Sequence, residues 1–469
     1  MTFDIRTKNI ETDKMDWRQQ GALLLDARRA LKQGPMAVTH RQRARFTEMV
    51  TFVRAHSPYY RELYRGLPER IDDPARLPVT SKKELMGRFD DWATDRDVTG
   101  DRVRAFVDNP DLIGESFLDK YTVATTSGIT GTRGIFVTDE QSLAVTNALA
   151  LRALSAWLGI GDVVRIIAGG GRMATVMATG GHFASAVGAA LLRKRLGKRI
   201  QVLSVHTPLP EIVASLNRFR PVVLAPYASM AAILADEQQA GRLHIDPVLL
   251  TLAAEGLPLD EYDRVAQAFN TNVGNSYAAT ECPFLSYSCD HKWLHVNSDW
   301  LVLEPVDASY RPTPPGQASH TVLISNLANR VQPILRYDLG DSVLVRPDSC
   351  PCGNPLPAIR VQGRSADVLT FPAERGEPVA IAPLAFGSLA DRTPGVELFQ
   401  IIQIAPTTLR VRLRVVAGTD PDRVWQTLQR EIVRLLAAHN LSHVAVERAD
   451  EAPQQAPGGK VRTVIPQNQ

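Results

Sequence analysis

Short apolar runs alternate with helical segments between residues 140 and 260, and this alternation limits the fold more than any other feature of the sequence. Strands of a parallel sheet are buried on both faces, so they appear as continuous apolar runs joined by helices. The pattern predicts helices over 141–158, 183–196 and 229–240, and strands over 163–168, 200–205 and 221–225. We therefore expect a parallel β-sheet covered by helices.

The part of the chain after about residue 296 carries a different pattern. From about residue 296 the sequence changes to strands, and after residue 363 a small α+β unit begins. In that unit we predict strands over 396–404, 408–416 and 443–447 and an amphipathic helix over 421–438. The expected class is α/β, with a large N-terminal domain of helix-covered β-sheets (residues 1–362) and a small mobile α+β C-terminal domain (residues 363–469).

Composition and charge exclude several classes of protein. The chain has 469 residues and a formal net charge of +3, which gives no electrostatic case for a nucleic-acid or membrane partner. No apolar run approaches the ~20 residues that span a bilayer, and the first residues lack the apolar core of a signal peptide. A cytoplasmic location is the expectation.

One segment is rich in glycine and hydroxyl side chains, and it reads Thr125-Thr126-Ser127-Gly128-Ile129-Thr130-Gly131. Glycines let backbone N–H groups approach an anion closely, and hydroxyls add hydrogen-bond donors without bulk. This composition suits a loop that binds a polyphosphate, although an ordinary surface loop can have the same composition. A Walker A loop is excluded, because no Lys-Ser or Lys-Thr pair follows the glycines.

Further motifs follow this segment in a fixed order. They are Ser-Tyr-Ala-Ala-Thr-Glu at 276–281, Arg-Tyr-Asp-Leu-Gly-Asp at 336–341, Gly-Arg-Ser-Ala-Asp at 363–367 and Gly-Gly-Lys-Val-Arg at 458–462. Two N-terminal landmarks, at 57–63 and 77–85, precede them. Together these motifs resemble the core motifs of the adenylate-forming superfamily of acyl-CoA synthetases and luciferases, and especially its phenylacetate–CoA ligase branch. The resemblance covers about residues 55–465.

The resemblance implies a two-step ligase reaction with ATP, Mg²⁺ and CoA. A small carboxylate, expected to be aromatic, is activated as an acyl-adenylate with release of pyrophosphate, and the acyl group then passes to CoA. The residues implied to hold the β- and γ-phosphates are Thr126, Ser127, Gly128, Thr130 and Gly131.

The same resemblance assigns roles to the later motifs. Ser276, Tyr277 and Ala278 would line the nucleotide, with Tyr277 stacked on adenine. Thr280 would contact the α-phosphate and Glu281 would hold Mg²⁺. Asp341 would accept hydrogen bonds from both ribose hydroxyls, because a carboxylate has two acceptor oxygens, and Arg364 would support the ribose or a phosphate at the domain junction.

Lys460 is singled out by the sequence itself. After Lys292 it is the only lysine in the chain, and it follows two glycines at the end of a polar segment. A compact ammonium on a long stem suits a phosphate oxygen where a guanidinium is too broad. The alternative is a solvated lysine near the C-terminus. The resemblance implies that Lys460 contacts the α-phosphate and the carboxylate during adenylation.

The acyl pocket is expected to take side chains from 168–183, 225–230 and 254–276. His182, Tyr227 and Gly256 are the candidate substrate-binding residues in these regions. For His182 an equally good interpretation is a residue at the start of a helix that packs against the sheet.

The cysteines suggest a metal site. Cys350 and Cys352 lie on one tight turn, and Cys289 and His295 lie upstream, a donor set that suits tetrahedral Zn²⁺. The C-x-C spacing is tighter than the commoner C-x₂-C, and two buried cysteines with surface histidines are the alternative. The resemblance implies a structural Zn²⁺ on Cys289, His295, Cys350 and Cys352, with His291 as a substitute for His295. Cys282 is expected to be a packing residue.

Three positions depart from the family pattern: Ile129, Thr132 and Ala366, the last at the hinge where Asp or Lys is usual. The hinge residue puts the transfer to CoA in question. Two other functions therefore stay open. One is an adenylate-forming enzyme of secondary metabolism that uses an amine, a carrier-protein thiol or another nucleophile as acceptor, or an unusual oxyacid as substrate. The other is a non-catalytic nucleotide-binding homologue. A homodimer is also left open.

Overall fold

A computed structural model describes residues 17–126, 133–252, 259–361, 369–373, 378–381, 383–454 and 463–466. The α-helices in these ranges are α1 (Trp17–Gln33), α2 (Pro35–His56), α3 (Pro58–Leu63), α4 (Lys82–Gly87), α5 (Phe89–Trp92), α6 (Gly100–Val107), α7 (Glu140–Trp157), α8 (Ile160–Ala168), α9 (Ala184–Leu196), α10 (Leu209–Phe219), α11 (Ala228–Gln239), α12 (Leu259–Phe269), α13 (Pro383–Arg392) and α14 (Pro421–Ala438).

The strands are β1 (Thr122–Thr125), β2 (Ile135–Thr138), β3 (Met173–Met177), β4 (Ile200–Ser204), β5 (Val223–Pro226), β6 (Leu249–Leu252), β7 (Asn272–Ala279), β8 (Cys282–Ser288), β9 (Leu294–Val296), β10 (Leu301–Val306), β11 (Thr321–Asn326), β12 (Tyr337–Asp338), β13 (Val343–Val345), β14 (Ala358–Val361), β15 (Leu369–Phe371), β16 (Val379–Ile381), β17 (Val396–Ala405), β18 (Thr408–Val415), β19 (Ala445–Arg448) and β20 (Val464–Ile465).

The largest sheet in the described ranges has nine strands in the order β13-β14-β9-β8-β7-β6-β5-β3-β4. Neighbouring strands from β4 through β3, β5 and β6 to β7 are parallel, and helices α9, α10, α11 and α12 connect them. From β7 onward the pairing is antiparallel. The predicted parallel sheet covered by helices is therefore confirmed, with an antiparallel extension at one edge.

The rest of the molecule is built from smaller sheets. Strands β10, β11 and β12 form an antiparallel sheet, and β1 pairs with β2. Near the C-terminus, four strands in the order β19-β18-β17-β20 pack with α13 and α14. The predicted α/β class, with a small α+β unit after the large one, is confirmed. The predicted boundary between the units, near 362–364, lies outside the described residues.

Helix α14 begins and ends where the sequence predicts, because its signals are local. Asp420 precedes it and accepts hydrogen bonds from the backbone N–H groups of Asp422 and Arg423, while Pro421 occupies the first helical position. Its apolar face buries Leu428 and Ile432 against the four-stranded sheet.

The predicted strand over 163–168 is wrong, because this segment is helix α8. The Asp162 carboxylate accepts from Gly159 N–H at 3.0 Å and so caps the first turn. The apolar residues also recur at helical spacing, and this stripe is exposed: Ile160 is 88% and Ile167 is 71% exposed. A short apolar run does not by itself distinguish helix from strand. The strand that enters the parallel sheet in this part of the chain is β3, which follows helix α8.

Within the described ranges, no single helix has the length and apolar composition needed to cross a membrane. Helices α7 and α8 pass that test only when they are taken as a pair, and they meet at a bend of 108°.

A buried ion pair joins α7 to the chain just before β10. Arg152, which is 3% exposed, donates to both carboxylate oxygens of Asp299, at 2.8 and 2.6 Å. It also donates to Asn297 Oδ1 at 2.9 Å and to the carbonyl oxygen of Ala27 in α1 at 3.0 Å. The backbone carbonyl of Asp299 accepts from Arg45 of α2 at 2.6 Å. One guanidinium–carboxylate pair thus connects three helices to the β-structure.

We expect Arg152→Ala to lower the free energy of unfolding by about 3–5 kcal/mol, because it leaves the Asp299 carboxylate buried without its partner. The measurement is chemical denaturation of Arg152→Ala, Asp299→Ala and the double variant. The double variant should be much less destabilised than the sum of the single variants. Arg434→Ala, which removes an exposed pair with Glu431, is the matched control and should change stability by less than ~1 kcal/mol. Equal losses of stability in Arg152→Ala and Arg434→Ala would contradict the conclusion that the buried ion pair stabilises the fold.

Candidate adenylation site at the carboxyl edge of the parallel sheet

The carboxyl ends of the parallel strands carry most of the described site candidates. His182 follows β3, Tyr227 follows β5, and the turn of Thr280 and Glu281 follows β7. Strands β3 and β5 are neighbours, but the chain runs from β3 to β4 on one side and from β5 to β6 on the other, so the two connections diverge at this point. Open α/β sheets bind ligands in the crevice at such a switch point. The sheet order therefore brings to one edge residues that are far apart in the sequence.

His182 is buried and offers one free hydrogen-bond acceptor. It is 1% exposed, and its Nε2 lies 3.0 Å from the carbonyl oxygen of Asn109. Because a carbonyl only accepts, Nε2 carries the proton. Burial lowers the pKa of the imidazole, so the ring is neutral near pH 7. Among the described residues, none donates to its Nδ1. His182 thus packs just before α9, and its buried Nδ1 is an acceptor without a described donor.

Tyr227 stands beside the same region of the sheet edge. Its hydroxyl lies 2.9 Å from Ser185 Oγ in the first turn of α9, and only 6% of the residue is exposed. This contact ties the end of β5 to the helix that follows His182. The third candidate of the acyl pocket, Gly256, lies outside the described residues.

The flanks of the glycine-rich segment form the neck of the β1–β2 hairpin. Thr126 N donates to Gly134 O at 2.9 Å, and Gly134 N donates to Thr126 Oγ1 at 2.9 Å. A Cβ atom on Gly134 would lie 2.6 Å from the Phe136 ring, so only glycine fits there. Thr125 N donates to His182 O at 2.7 Å, which places this neck beside the switch point. The segment's other phosphate candidates, Ser127, Gly128, Thr130 and Gly131, lie outside the described residues.

Glu281 is buried at the turn between β7 and β8, and Thr280 lies half-buried beside it. Glu281 Oε1 accepts from the Tyr337 hydroxyl at 2.9 Å and lies 3.9 Å from Lys82 Nζ. Burial, together with the Glu281 carboxylate, raises the pKa of the Tyr337 hydroxyl far above its usual range, so Tyr337 acts as a donor. Among the described residues, none forms a hydrogen bond with Oε2 of Glu281. The carboxylate is therefore held through one oxygen, and the second is available to a cation.

Tyr277 and Asp341 are in direct contact. The Tyr277 hydroxyl donates to Asp341 Oδ2 at 2.7 Å, and both side chains are half-buried. The two neighbours of Tyr277 on β7 differ in solvent exposure: Ser276 is half-buried and Ala278 is exposed. Together with the bond from Tyr337 to Glu281, this contact joins the motifs at 276–281 and 336–341. The predicted catalytic residues Arg364 and Lys460 lie outside the described residues.

Two residues of this site were missed by the sequence interpretation. Tyr337 lies within the motif at 336–341, where the sequence assigns a role only to Asp341, but it donates to Glu281. Lys82 lies within the landmark at 77–85, to which the sequence assigns no role. No local signal could have shown either contact, since each joins segments that are far apart in the sequence.

The predicted zinc ligands form one compact cluster. The ligand atoms of Cys289, His295, Cys350 and Cys352 all lie within 4.8 Å of one another. Cys289 Sγ is 3.7 Å from Cys350 Sγ, and Cys352 Sγ is 3.2 Å from His295 Nε2. The His295 Nδ1 lies 3.0 Å from the Leu356 carbonyl, which fixes the proton on Nδ1 and leaves Nε2 as an acceptor facing the thiols.

Burial and neighbouring groups shift the pKa values of the residues in this cluster. Burial raises the pKa of Cys352 to about 12 and also raises that of Cys289. For Cys350, burial is outweighed by the backbone N–H of Cys352 and the neighbouring thiols, which lower its pKa. Burial lowers the pKa of His295, so the ring is neutral and able to bind a metal. Cys282 is fully buried and outside the cluster, where burial raises the pKa of its thiol, as expected of a packing residue.

The chain was compared with known proteins. No protein-family model and no curated protein matches it. Among solved structures, it is similar to 2-hydroxyisobutyryl-CoA ligase in complex with 2-HIB-AMP and CoA in the thioesterification state. In that pair the TM-score is 0.54 at 20% identity, over 92% of this chain and 89% of that one. The same ligase in the postadenylation state with R3-HIB-AMP gives 0.51 at 20% identity, over 92% and 90%.

This chain has the fold of that ligase. The similarity extends over nearly the whole length of both chains, which agrees with the order of the motifs along the sequence. Within this fold, His182, Tyr227 and Glu281 lie where parallel strands end.

We expect Tyr337→Phe to lower the free energy of unfolding by about 1.5–3 kcal/mol, because it removes a buried hydrogen bond to the Glu281 carboxylate. Tyr310→Phe is the matched control. Its hydroxyl donates to Asp338 Oδ2 at 3.0 Å on a side chain that is 41% exposed, so its loss should cost less than ~1 kcal/mol. Chemical denaturation of both variants measures the difference, and a Tyr337→Phe protein as stable as wild type would contradict the buried contact.

Proposed function

We propose that this chain is an ATP-dependent ligase that activates a small carboxylate as an acyl-adenylate and transfers the acyl group to CoA. One observation carries the proposal. The Tyr277 hydroxyl is hydrogen-bonded to the Asp341 carboxylate, and Glu281 lies in the turn that follows the same strand, β7. A ribose-binding carboxylate, an aromatic ring and a metal-binding carboxylate on adjoining segments suit a nucleotide at the sheet edge. The solved ligases with this fold hold acyl-AMP and CoA.

In the proposed complex each residue has one task. Tyr277 would stack on adenine while its hydroxyl keeps Asp341 oriented toward the ribose, with Ser276 and Ala278 beside the ring. Thr280 would donate to the α-phosphate. Thr126, at the neck of the hairpin, would help hold the β- and γ-phosphates, together with the residues at 127–131.

Glu281 is the residue proposed to hold Mg²⁺. Its Oε1 is occupied by Tyr337, and its Oε2 is the oxygen left for the metal. When bound, the Mg²⁺ ion neutralises charge on the phosphates of ATP. Tyr337 keeps the buried carboxylate in one orientation, so little reorganisation is needed when the nucleotide arrives.

The acyl group is proposed to lie near His182 and Tyr227. His182 presents an acceptor, so a substrate with a hydrogen-bond donor would be favoured over one with a second carboxylate at that point. An aromatic acid stays our proposal from the family resemblance. CoA as the acceptor rests on the same resemblance and on the ligase with this fold that holds CoA. An amine or a carrier-protein thiol is the alternative that Ala366 keeps open.

The proposed function is tested by release of AMP and pyrophosphate from MgATP with a panel of aryl, aliphatic and 2-hydroxy acids, with and without CoA. Mass spectrometry identifies the product. We expect Glu281→Gln and Lys460→Ala each to lower the adenylation rate by ~10²–10³-fold, because each removes a charge that stabilises the transferring phosphoryl group. Lys198→Ala, at an exposed lysine on the turn before β4, is the control and should keep wild-type activity.

The outcomes separate the candidate functions. Acyl-CoA that depends on Lys460 supports the proposed ligase. Acyl-AMP that forms but does not react with CoA moves the assignment to another acceptor. Tight MgATP binding without AMP from any acid, unchanged in Lys460→Ala, would point to the nucleotide-binding homologue.

We also propose that the cluster of Cys289, His295, Cys350 and Cys352 holds a structural Zn²⁺. The donor set, the spread of the four ligand atoms and the orienting bond from His295 to Leu356 support this. Zinc would keep the thiols deprotonated despite their burial. It would fix the segment before β9 to the turn before β14, next to the antiparallel edge of the large sheet.

We expect the purified protein to carry one zinc per chain, measured by inductively coupled plasma mass spectrometry. Cys350→Ser should lose most of the metal and unfold at a lower temperature, because a tetrahedral site cannot close with three ligands. Cys282→Ser is the matched control, since Cys282 is buried but outside the cluster, and it should retain zinc. Full zinc content in Cys350→Ser, or none in the wild type, would contradict the site.

A further inference from the structure

Lys82 lies beside the carboxylate of Glu281, although it comes from the N-terminal helices. Its Nζ is 3.9 Å from Glu281 Oε1, and its side chain is 21% exposed. It is the first residue of α4, after the capping residue Ser81. The ammonium therefore stands next to the carboxylate that we assign to the metal, and its side chain remains partly exposed to solvent.

The backbone before Lys82 is fixed to the strand that carries Tyr337. Thr80 N donates to Arg336 O at 3.0 Å, and Thr80 and Tyr337 form a parallel β-bridge. The Arg336 guanidinium in turn donates to the carbonyl oxygen of Leu77 at 2.6 Å. The same short strand thus positions both groups that contact Glu281, so the place of the ammonium follows from the fold and not from a chance surface contact.

The segment expected to bind the polyphosphate brings no cation of its own. Residues 125–132 contain neither lysine nor arginine. Arg133 follows, but its guanidinium is 44% exposed and lies 3.8 Å from the Asp108 carboxylate, which offsets part of its charge. A triphosphate carries several negative charges, and a compact ammonium with three donors suits its terminal oxygens. Lys82 is the half-buried cation that the structure places next to Glu281.

We propose that Lys82 binds the β- and γ-phosphates of ATP, and with them the pyrophosphate leaving group. This inference rests on the proposed function of the site. In the adenylation step, an oxygen of the acid forms a bond to the α-phosphorus while the bond from that phosphorus to the bridging oxygen breaks. The electron pair leaves on pyrophosphate, and the Lys82 ammonium stabilises the charge that gathers there.

The assignment has a consequence that a purely structural ion pair lacks. AMP has no β- or γ-phosphate, so Lys82 should contribute to the affinity for ATP and pyrophosphate but not to the affinity for AMP. A salt bridge that only supports Glu281 would not make this distinction between ligands.

Isothermal titration calorimetry of the full chain tests this with MgATP, magnesium pyrophosphate and AMP. We expect Lys82→Ala to weaken MgATP and magnesium pyrophosphate by ~10–100-fold, the loss of one or two hydrogen bonds to a charged group, and to leave AMP within about twofold. Lys82→Arg should recover part of the loss, because it keeps the charge. Lys83→Ala is the matched control at the next residue, which is exposed, and should bind all three ligands as wild type does.

Thermal unfolding of each variant shows that it is folded before the titration. Wild-type affinity for MgATP in folded Lys82→Ala overturns the inference and leaves the proposed function standing. An equal loss for AMP, ATP and pyrophosphate also overturns it, because it would mean that Lys82 acts on the site as a whole. A wild-type protein that binds none of the three ligands would instead remove the proposed function, and this inference with it.

Discussion

Strand β7 is hydrogen-bonded to two different kinds of neighbour, and the arrangement of the site depends on this. Its first half pairs parallel with β6, and its second half pairs antiparallel with β8. The strand therefore runs beyond the end of β6, and its last residues stand out past the parallel sheet. Tyr277 lies on this extension, and Glu281 lies at its tip. Residues 276–281 thus form a ledge that extends beyond the end of β6.

The ledge is held in place by buried polar contacts. A carboxylate in a protein interior is costly unless hydrogen bonds or a cation compensate it. Glu281 meets this requirement through Tyr337 and Lys82, and Asp299 meets it through Arg152. The two carboxylates differ in how many of their oxygens have a described partner. The pair with Arg152 uses both carboxylate oxygens of Asp299, whereas the described contacts of Glu281 use only one. An incomplete set of partners at a sheet edge is typical of a residue that binds a ligand.

Local signals in the sequence were sufficient for much of the fold. Helix α14 is delimited by Asp420 and Pro421 at its start, and strands β17 and β18 were predicted from alternation within a few residues of their bounds. The prediction of a strand at 163–168 failed because the apolar residues there suit both a strand and an amphipathic helix. The cap at Asp162 is the local signal for a helix. The ligand atoms of the four zinc candidates lie within 4.8 Å of one another, since two of the residues share a turn, a third precedes β9 and His295 lies in β9.

The sequence by itself determined the class of fold, the order of the motifs and the chemical types available at each, because these depend on side chains close together along the chain. Only the tertiary structure decided which of them meet. Tyr337 donates a hydrogen bond to Glu281, and Lys82 lies beside the same carboxylate. Tyr277 donates to Asp341, and His182 has one ring nitrogen without a described donor. Each of these facts depends on strand order and register. Such pairings link residues separated by long stretches of chain, and no local pattern encodes the distance between their atoms.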